Sequence, residues 1–283
     1  MNDHSENQQG PNEQLLQAIV SGKRPERPSA FSSTLTFSQR ALLRIKHVPE
    51  QLFDVTVFPV IFLLMFTFLF GGAIAGSTGE YLQFLLPGIL VMTVVQITMY
   101  TGLDLNKDIQ NGIFDRFRTM PLWLPSALVG GLLIDVFRYT IASVIMIILG
   151  YILGFRPEGG LSGVSMSILL ILLFCFSVSW IWTTLGLIMR SEKSLMLVSM
   201  MVLFPLTFIS NVFVAPETLP NWLQAFVDVN PISLLVNAVR GFMHGTITTE
   251  AIMWVFLTSG IIFIIFAPIT MYLYRNKNKK YCF

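Results

Sequence analysis

Residues 55–74 read VTVFPVIFLLMFTFLFGGAI, a run with no charged side chain. As a helix rising 1.5 Å per residue, such a run is about 30 Å long, the thickness of bilayer hydrocarbon. Uncharged stretches of this length are read as membrane-spanning helices. Comparable runs lie at 84–103 (FLLPGILVMTVVQITMYTGL), within 128–155, and at 165–188, 194–213 and 251–274. The sequence therefore predicts an all-α membrane protein with six transmembrane helices. Pro59, Pro87, Pro205 and Pro268 fall inside these runs. They predict kinks, since neighbouring helices in a membrane can satisfy the freed carbonyls.

Composition points the same way. Of 283 residues, 54% are hydrophobic and 12% charged, against about 25% charged in a soluble domain. A chain of this size cannot hide that much apolar surface inside itself. The net charge of +2 gives no nucleic-acid signature. Cys175 lies in an apolar run and Cys282 is the penultimate residue, so neither a disulfide framework nor a metal cluster is expected. Cys282 does not fit the C-terminal prenylation pattern either. Residues 1–35 are polar and lack the order of a signal peptide. They read as a disordered cytoplasmic tail, and residues 36–283 as one transmembrane domain.

The cations fix an orientation. Lys23, Arg24, Arg27, Arg40, Arg44 and Lys46 precede the first run; Lys107, Arg116 and Arg118 follow the second; Arg190 and Lys193 follow the fourth; Arg275, Lys277, Lys279 and Lys280 follow the sixth. The alternate connections hold only Arg156 and Arg240. Cations stay on the cytoplasmic side, so both termini are expected there. Asp135 and Arg138 complicate the third run. Starting that span near residue 136, over 136–155, leaves both at the inner interface, where Arg138 can snorkel and pair at i,i+3. The other reading is a charged pair marking a transport path.

Three further segments stand out. Residues 38–48, SQRALLRIKHV, form an amphipathic helix with Arg40, Arg44 and His47 on one face and Ala41, Leu42, Ile45 and Val48 on the other. Such a helix lies along the anionic inner leaflet, as a plain anchor or as an elbow to the first span. Residues 107–121, KDIQNGIFDRFRTMP, mix charges with apolar residues at helical spacing. They form either a solvated loop or a docking surface for a cytoplasmic partner. Residues 215–245 are too long for a bare loop. Leu219, Trp222, Leu223, Phe226 and Val227 share a helical face, Asn230-Pro231 breaks it, and a second short apolar helix follows. This reads as an outer re-entrant pair, capping the mouth or touching substrate.

Several motifs are missing. There is no GxxxxGK[ST] phosphate loop, HExxH or GxSxG, and His4, His47 and His244 are scattered. Ionisable residues inside the runs are few, unlike an ion-coupled carrier. The chain carries no energy source of its own and is not expected to be an enzyme.

In the inner stretch NGIFDRFRTMPLWLPSALVGGLLIDVFR and the outer stretch FVAPETLPNWLQAFVDVNPISLLVNAVRG, the chain resembles the ABC-2 family of ABC transporter permeases, in the daunorubicin-resistance-type branch of bacterial drug exporters. The resemblance covers about residues 37–274. It implies a multi-pass protein of the bacterial cell membrane, exporting amphipathic drug-like or lipid-like molecules. It implies two permease copies, as a homodimer or with a related permease, on two copies of a cytoplasmic ATPase that bind the ATP and Mg; this chain needs no cofactor. It implies a coupling helix at Asn111, Gly112, Phe114, Asp115, Arg116, Phe117 and Arg118. It implies an interfacial connecting helix around Arg40, Arg44 and Lys46, and a re-entrant region around Trp222, Asn230 and Pro231. Substrate is expected between protomers along the first, second and fifth spans. Partners are thus the ATPase, a second permease and lipid, with no nucleic acid. Export of lipid-linked polysaccharide or teichoic acid, or an ion-driven secondary carrier, are the alternatives. The substrate itself is not legible.

Overall fold

The structure, a computed structural model, describes residues 29, 32, 34, 36–39, 49–113, 126–214 and 216–276. These form nine principal helices and, among the described residues, no strand. They are α1 (Pro49–Ala75), α2 (Thr78–Ile97), α3 (Met99–Gln110), α4 (Ser126–Leu153), α5 (Gly160–Ile188), α6 (Glu192–Phe208), α7 (Asn221–Val229), α8 (Pro231–His244) and α9 (Thr249–Asn276). A short 3-10 turn, Pro216–Thr218, precedes α7.

Local chemistry sets the ends. Proline opens α1, where its missing N–H costs nothing. Ser77 caps α2 by accepting from the Glu80 N–H, and Ser191 caps α6 by accepting from that of Ser194. Gly112, at φ +67°, takes the left-handed conformation that stops α3. Between α2 and α3 the Thr98 hydroxyl donates to the Val95 carbonyl at 2.6 Å. That carbonyl would receive the Met99 N–H in an unbroken helix, so the side chain takes the acceptor and the ladder breaks there.

Four helical runs among the described residues are long and apolar enough to cross a bilayer: Thr78–Gln110, Leu128–Leu153, Gly160–Ile188 and Thr249–Asn276. A fifth is reached if the pair Asn221–Val229 and Pro231–His244, bent by 76°, counts as one. The bend falls at Asn230-Pro231, where the sequence predicts a break, and makes the pair either a broken span or a re-entrant loop. The run expected over 55–74 lies wholly within α1, a helix of 27 residues, whereas α6 has only 17. The run expected over 194–213 is helical only to Phe208. Pro205 and the buried loop after it turn the chain back into the protein. The run expected over 136–155 begins a good two turns earlier, at Ser126. Its early residues, Leu128 and Leu132, pack in a small cluster with Trp180, Leu187 and Tyr274.

Burial sorts the helices. The Thr78–Gln110 run is 83% buried across its most apolar window and the Thr249–Asn276 run only 17%. The first is the interior post and the second an outer stave. α5 is the hub, packing on α2, α3, α4, α6, α8 and α9. Lipid tails are as apolar as leucine, so burial of apolar surface does not hold these helices together. Close approach and polar contacts do. A Cβ on Gly102 would lie 2.3 Å from the Trp182 carbonyl oxygen, and one on Gly186 2.5 Å from the Gly102 carbonyl oxygen. The two bare backbones therefore touch where α3 crosses α5.

Candidate functional site

Three polar features stand along the interior post. The first lies where α3 leaves the helical body toward the inner loop. One face of α3 (Met99, Gly102, Leu103, Asn106) is buried. Asn106 Nδ2 donates to the carbonyls of Gly186 and Met189, at 2.9 and 2.8 Å, and so satisfies the end of α5. Gln110 donates to the Asn106 side chain. On the α4 side, Arg138 lies between two carboxylates. Its Nη2 is 3.4 Å from Asp104 Oδ2, and its Nη1 is 3.4 Å from Asp135 Oδ1 without hydrogen-bond alignment. The second oxygen of Asp135 accepts from the Thr101 hydroxyl at 2.6 Å. Thr101 meets the Tyr139 hydroxyl at 3.2 Å, and Tyr139 meets Ser179 at 2.8 Å. Trp182 donates to Thr98 at 2.8 Å. The network thus ties the α2–α3 joint to both α4 and α5.

Arg138 turns inward. It is only 6% exposed and Asp135 4%, so neither side chain reaches outward across an interface. The i,i+3 spacing brought out this pair in the sequence. Asp104 and Thr101, on another helix, had no such signal. Asn111 and Gly112 sit at the end of α3. Phe114, Asp115, Arg116, Phe117 and Arg118 lie outside the described residues, as do Arg40, Arg44 and Lys46.

The second feature is a groove of about 210 Å³ at the mid-height of the same post. Phe58 and Pro59 come from α1, Thr93, Gln96 and Ile97 from α2, Met99 and Tyr100 from α3, and Met196 and Met200 from α6. These helices correspond to the first, second and fifth expected spans. Thr93 spends its hydroxyl on the Ile89 carbonyl. Gln96 makes no side-chain hydrogen bond to protein among the described residues and is partly exposed. The groove is thus an apolar, thioether-rich wall with one free amide.

The third feature closes the opposite end. Residues 209–214 are non-helical, and Ser210 to Phe213 are buried. Their backbone groups are met by side chains from elsewhere. Asn230 Nδ2 donates to the carbonyls of Leu206 and Ile209 at 2.7 and 2.8 Å. The Tyr81 hydroxyl donates to Phe213 O at 3.1 Å, and Arg240 Nη2 to Asn211 O at 3.2 Å. Asn230 also caps α8 through Oδ1, with Pro231 at its first position. Trp222, by contrast, is 75% exposed on α7. Sequence reading found Asn230 as a helix breaker but missed Arg240, Asn211 and Tyr81, whose partners lie far along the chain.

A polar, unwound turn held inside an apolar bundle, beside a separate groove and an ordered inner joint, is the architecture of a membrane transport body. The family model described as ABC-2 type transporter matches residues 32–244. The chain belongs to the ABC-2 type transporter family. This ABC-2 permease is a multi-pass membrane protein and a transporter subunit, and the family works with an ATPase partner subunit. It is 51% identical, over 94% of each chain, to the daunorubicin resistance ABC transporter permease protein DrrB1 of Streptomyces coeruleorubidus. It is 24% identical to the probable doxorubicin resistance ABC transporter permease protein DrrC of Mycobacterium tuberculosis, covering 85% of this chain and 87% of the other. It is also 24% identical to the inner membrane transport permease YadH of Escherichia coli, covering 71% and 82%. The matched region of the permease includes the α3 joint, the groove and the bent helix pair.

Proposed function

We propose that this permease exports amphipathic, aromatic drug-like molecules from a bacterial cell, using ATP hydrolysed by its separate partner subunit. The observation that carries this reading is the groove between α1, α2, α3 and α6, with its free Gln96 amide among Phe58, Met196 and Met200. Thioethers and aromatic rings adapt to flat apolar ligands, and one unpaired amide gives a single hydrogen bond for orientation. The names of the daunorubicin and doxorubicin resistance relatives support the same substrate class.

In the full reading, two permease copies meet along the exposed apolar faces of α1 and α6, with two ATPase copies binding ATP and Mg below them. Six spans place both termini in the cytoplasm, following the cation asymmetry. Residues 111–118 dock on the ATPase, and the helix around Arg40, Arg44 and Lys46 lies along the inner leaflet. Asp104, Asp135 and Arg138 then join the docking segment to the bundle. ATP drives transport because the ATPase binds two permease conformations unequally.

The test is co-expression with the partner ATPase and measurement of drug-stimulated hydrolysis. Gln96→Leu is expected to raise the half-saturating drug concentration about fivefold, the size of one neutral hydrogen bond, with basal hydrolysis unchanged. Export by the permease alone, driven by an ion gradient, would overturn the reading. Asp115→Ala combined with Arg116→Ala is expected to weaken capture of the ATPase while membrane insertion persists.

A further inference from the structure

Arg240 lies on α8. Among the described residues no carboxylate lies within ion-pair distance of it, although Glu217 is near enough to act on its charge. Its Nη2 is taken by the carbonyls of Phe84 and Asn211, at 3.1 and 3.2 Å, and its Cζ stands 3.8 Å over the Phe84 ring. Nε is buried with no partner, and Nη1 has no protein partner among the described residues. The fold has therefore fixed a guanidinium in place and left two of its nitrogens unused.

Arg240 is one of the residues lining a pocket of about 410 Å³ between α8 and the start of α9, within the roughly 300–1,000 Å³ of small-molecule sites. The lining adds an opposite charge, Glu250, together with the hydroxyls of Thr246 and Thr248 and the ring of Trp254. Glu250 and both threonines are exposed. A simple anion would meet Arg240 but also face Glu250. A group carrying a phosphate and an ammonium on one short chain would satisfy both.

The surface below the pocket selects between a soluble compound and a lipid. Trp254, Leu257, Ile261 and Ile264 are exposed at helical spacing down one side of α9. This stripe leads from the pocket along the outer stave, where acyl chains would lie. Tryptophan is enriched at the level of the headgroups. We propose that the pocket between α8 and α9 binds the phosphoethanolamine headgroup of a membrane lipid, its phosphate on Arg240 and its ammonium on Glu250. On the orientation proposed above, the lipid belongs to the outer leaflet.

The test uses the purified complex with its ATPase, analysed by native mass spectrometry with phosphatidylethanolamine, phosphatidylglycerol or phosphatidylcholine added. Phosphatidylethanolamine should be retained best, because methylation of the amine removes the N–H donors and phosphatidylglycerol has none that is charged. Glu250→Gln should lower the ethanolamine-to-glycerol retention ratio about three- to fivefold, the size of one exposed ion pair. Arg240→Gln should weaken retention of all three lipids. Should that variant fail to assemble, Glu250→Gln, at an exposed position, still decides. Equal retention of the three lipids, a ratio unmoved by Glu250→Gln, or displacement by equimolar soluble glycerophosphoethanolamine would overturn the proposal. Drug-stimulated hydrolysis, measured on the same samples, separates failure of this site from failure of the export reading.

Discussion

Arg138 holds together two carboxylates that would otherwise repel. Removing a partner from a buried ionic group costs far more than the pair contributes, about 3–5 kcal/mol. Arg138→Gln leaves Asp104 and Asp135 facing each other without a cation, and the largest loss of thermal stability in detergent is expected from it. Asp135→Asn keeps the Asp104–Arg138 contact and should cost clearly less. If both lower the melting temperature equally, the three residues do not act as one network. The Gly102–Gly186 contact makes a second prediction at this scale. A methyl group on Gly102 would meet fixed backbone of α5, not the end of a flexible side chain. Gly102→Ala is therefore expected to destabilise the permease by about 1–3 kcal/mol, the usual cost of overpacking, whereas Ala substituted at Gly131, which has nothing within 4 Å among the described residues, should hold or raise the melting temperature. The pairing of Asp135 with Arg138 was legible in the sequence because both lie on one helix at i,i+3. Asp104 was not, because nothing in local spacing reports which residues meet across helices.

At the level of elements, one side chain ties the end of α6 to the start of α8. Asn230 caps α8 with its oxygen and meets two carbonyls at the end of α6 with its nitrogen. Asn230→Asp keeps the cap but loses the donor, and Asn230→Ala loses both. An aspartate would aim a buried carboxylate oxygen at two carbonyl oxygens, so that variant should unfold at the lowest temperature, and the alanine variant, missing a cap worth about 1 kcal/mol, between it and the unaltered protein. An aspartate variant as stable as the unaltered protein would show that only the cap matters. The turn also explains why the fifth span was read too long. Hydropathy alone sees residues 194–213 as one apolar run. It cannot see that Pro205 weakens the ladder and that polar groups from α2 and α8 wait to receive the unwound backbone. The break at Thr98 escaped for the same reason, since a threonine in an apolar run reads as neutral until its hydroxyl takes the helix's own acceptor.

For the whole molecule, the orientation can be checked by labelling. Cys175 is fully buried, so with Cys282→Ser as background a new thiol reports on its own position. A thiol-reactive, membrane-impermeant reagent added to intact cells is expected to label Trp222→Cys and not Asp115→Cys; the reverse pattern would turn the docking segment away from the ATPase. The all-α membrane architecture, the approximate place of the long apolar helices and the helix break at Asn230-Pro231 were set by composition and spacing alone. Those properties depend on how each segment partitions between water and lipid, and a segment carries that information within itself. The partner of Arg138 on α3, the groove around Gln96, the satisfied turn at 209–214 and the pocket shared by Arg240 and Glu250 were decided only by tertiary structure. Each depends on which helix faces touch, and in a bilayer that choice rests on close backbone approach and scattered polar contacts, which leave almost no trace in the pattern of hydrophobicity along the chain.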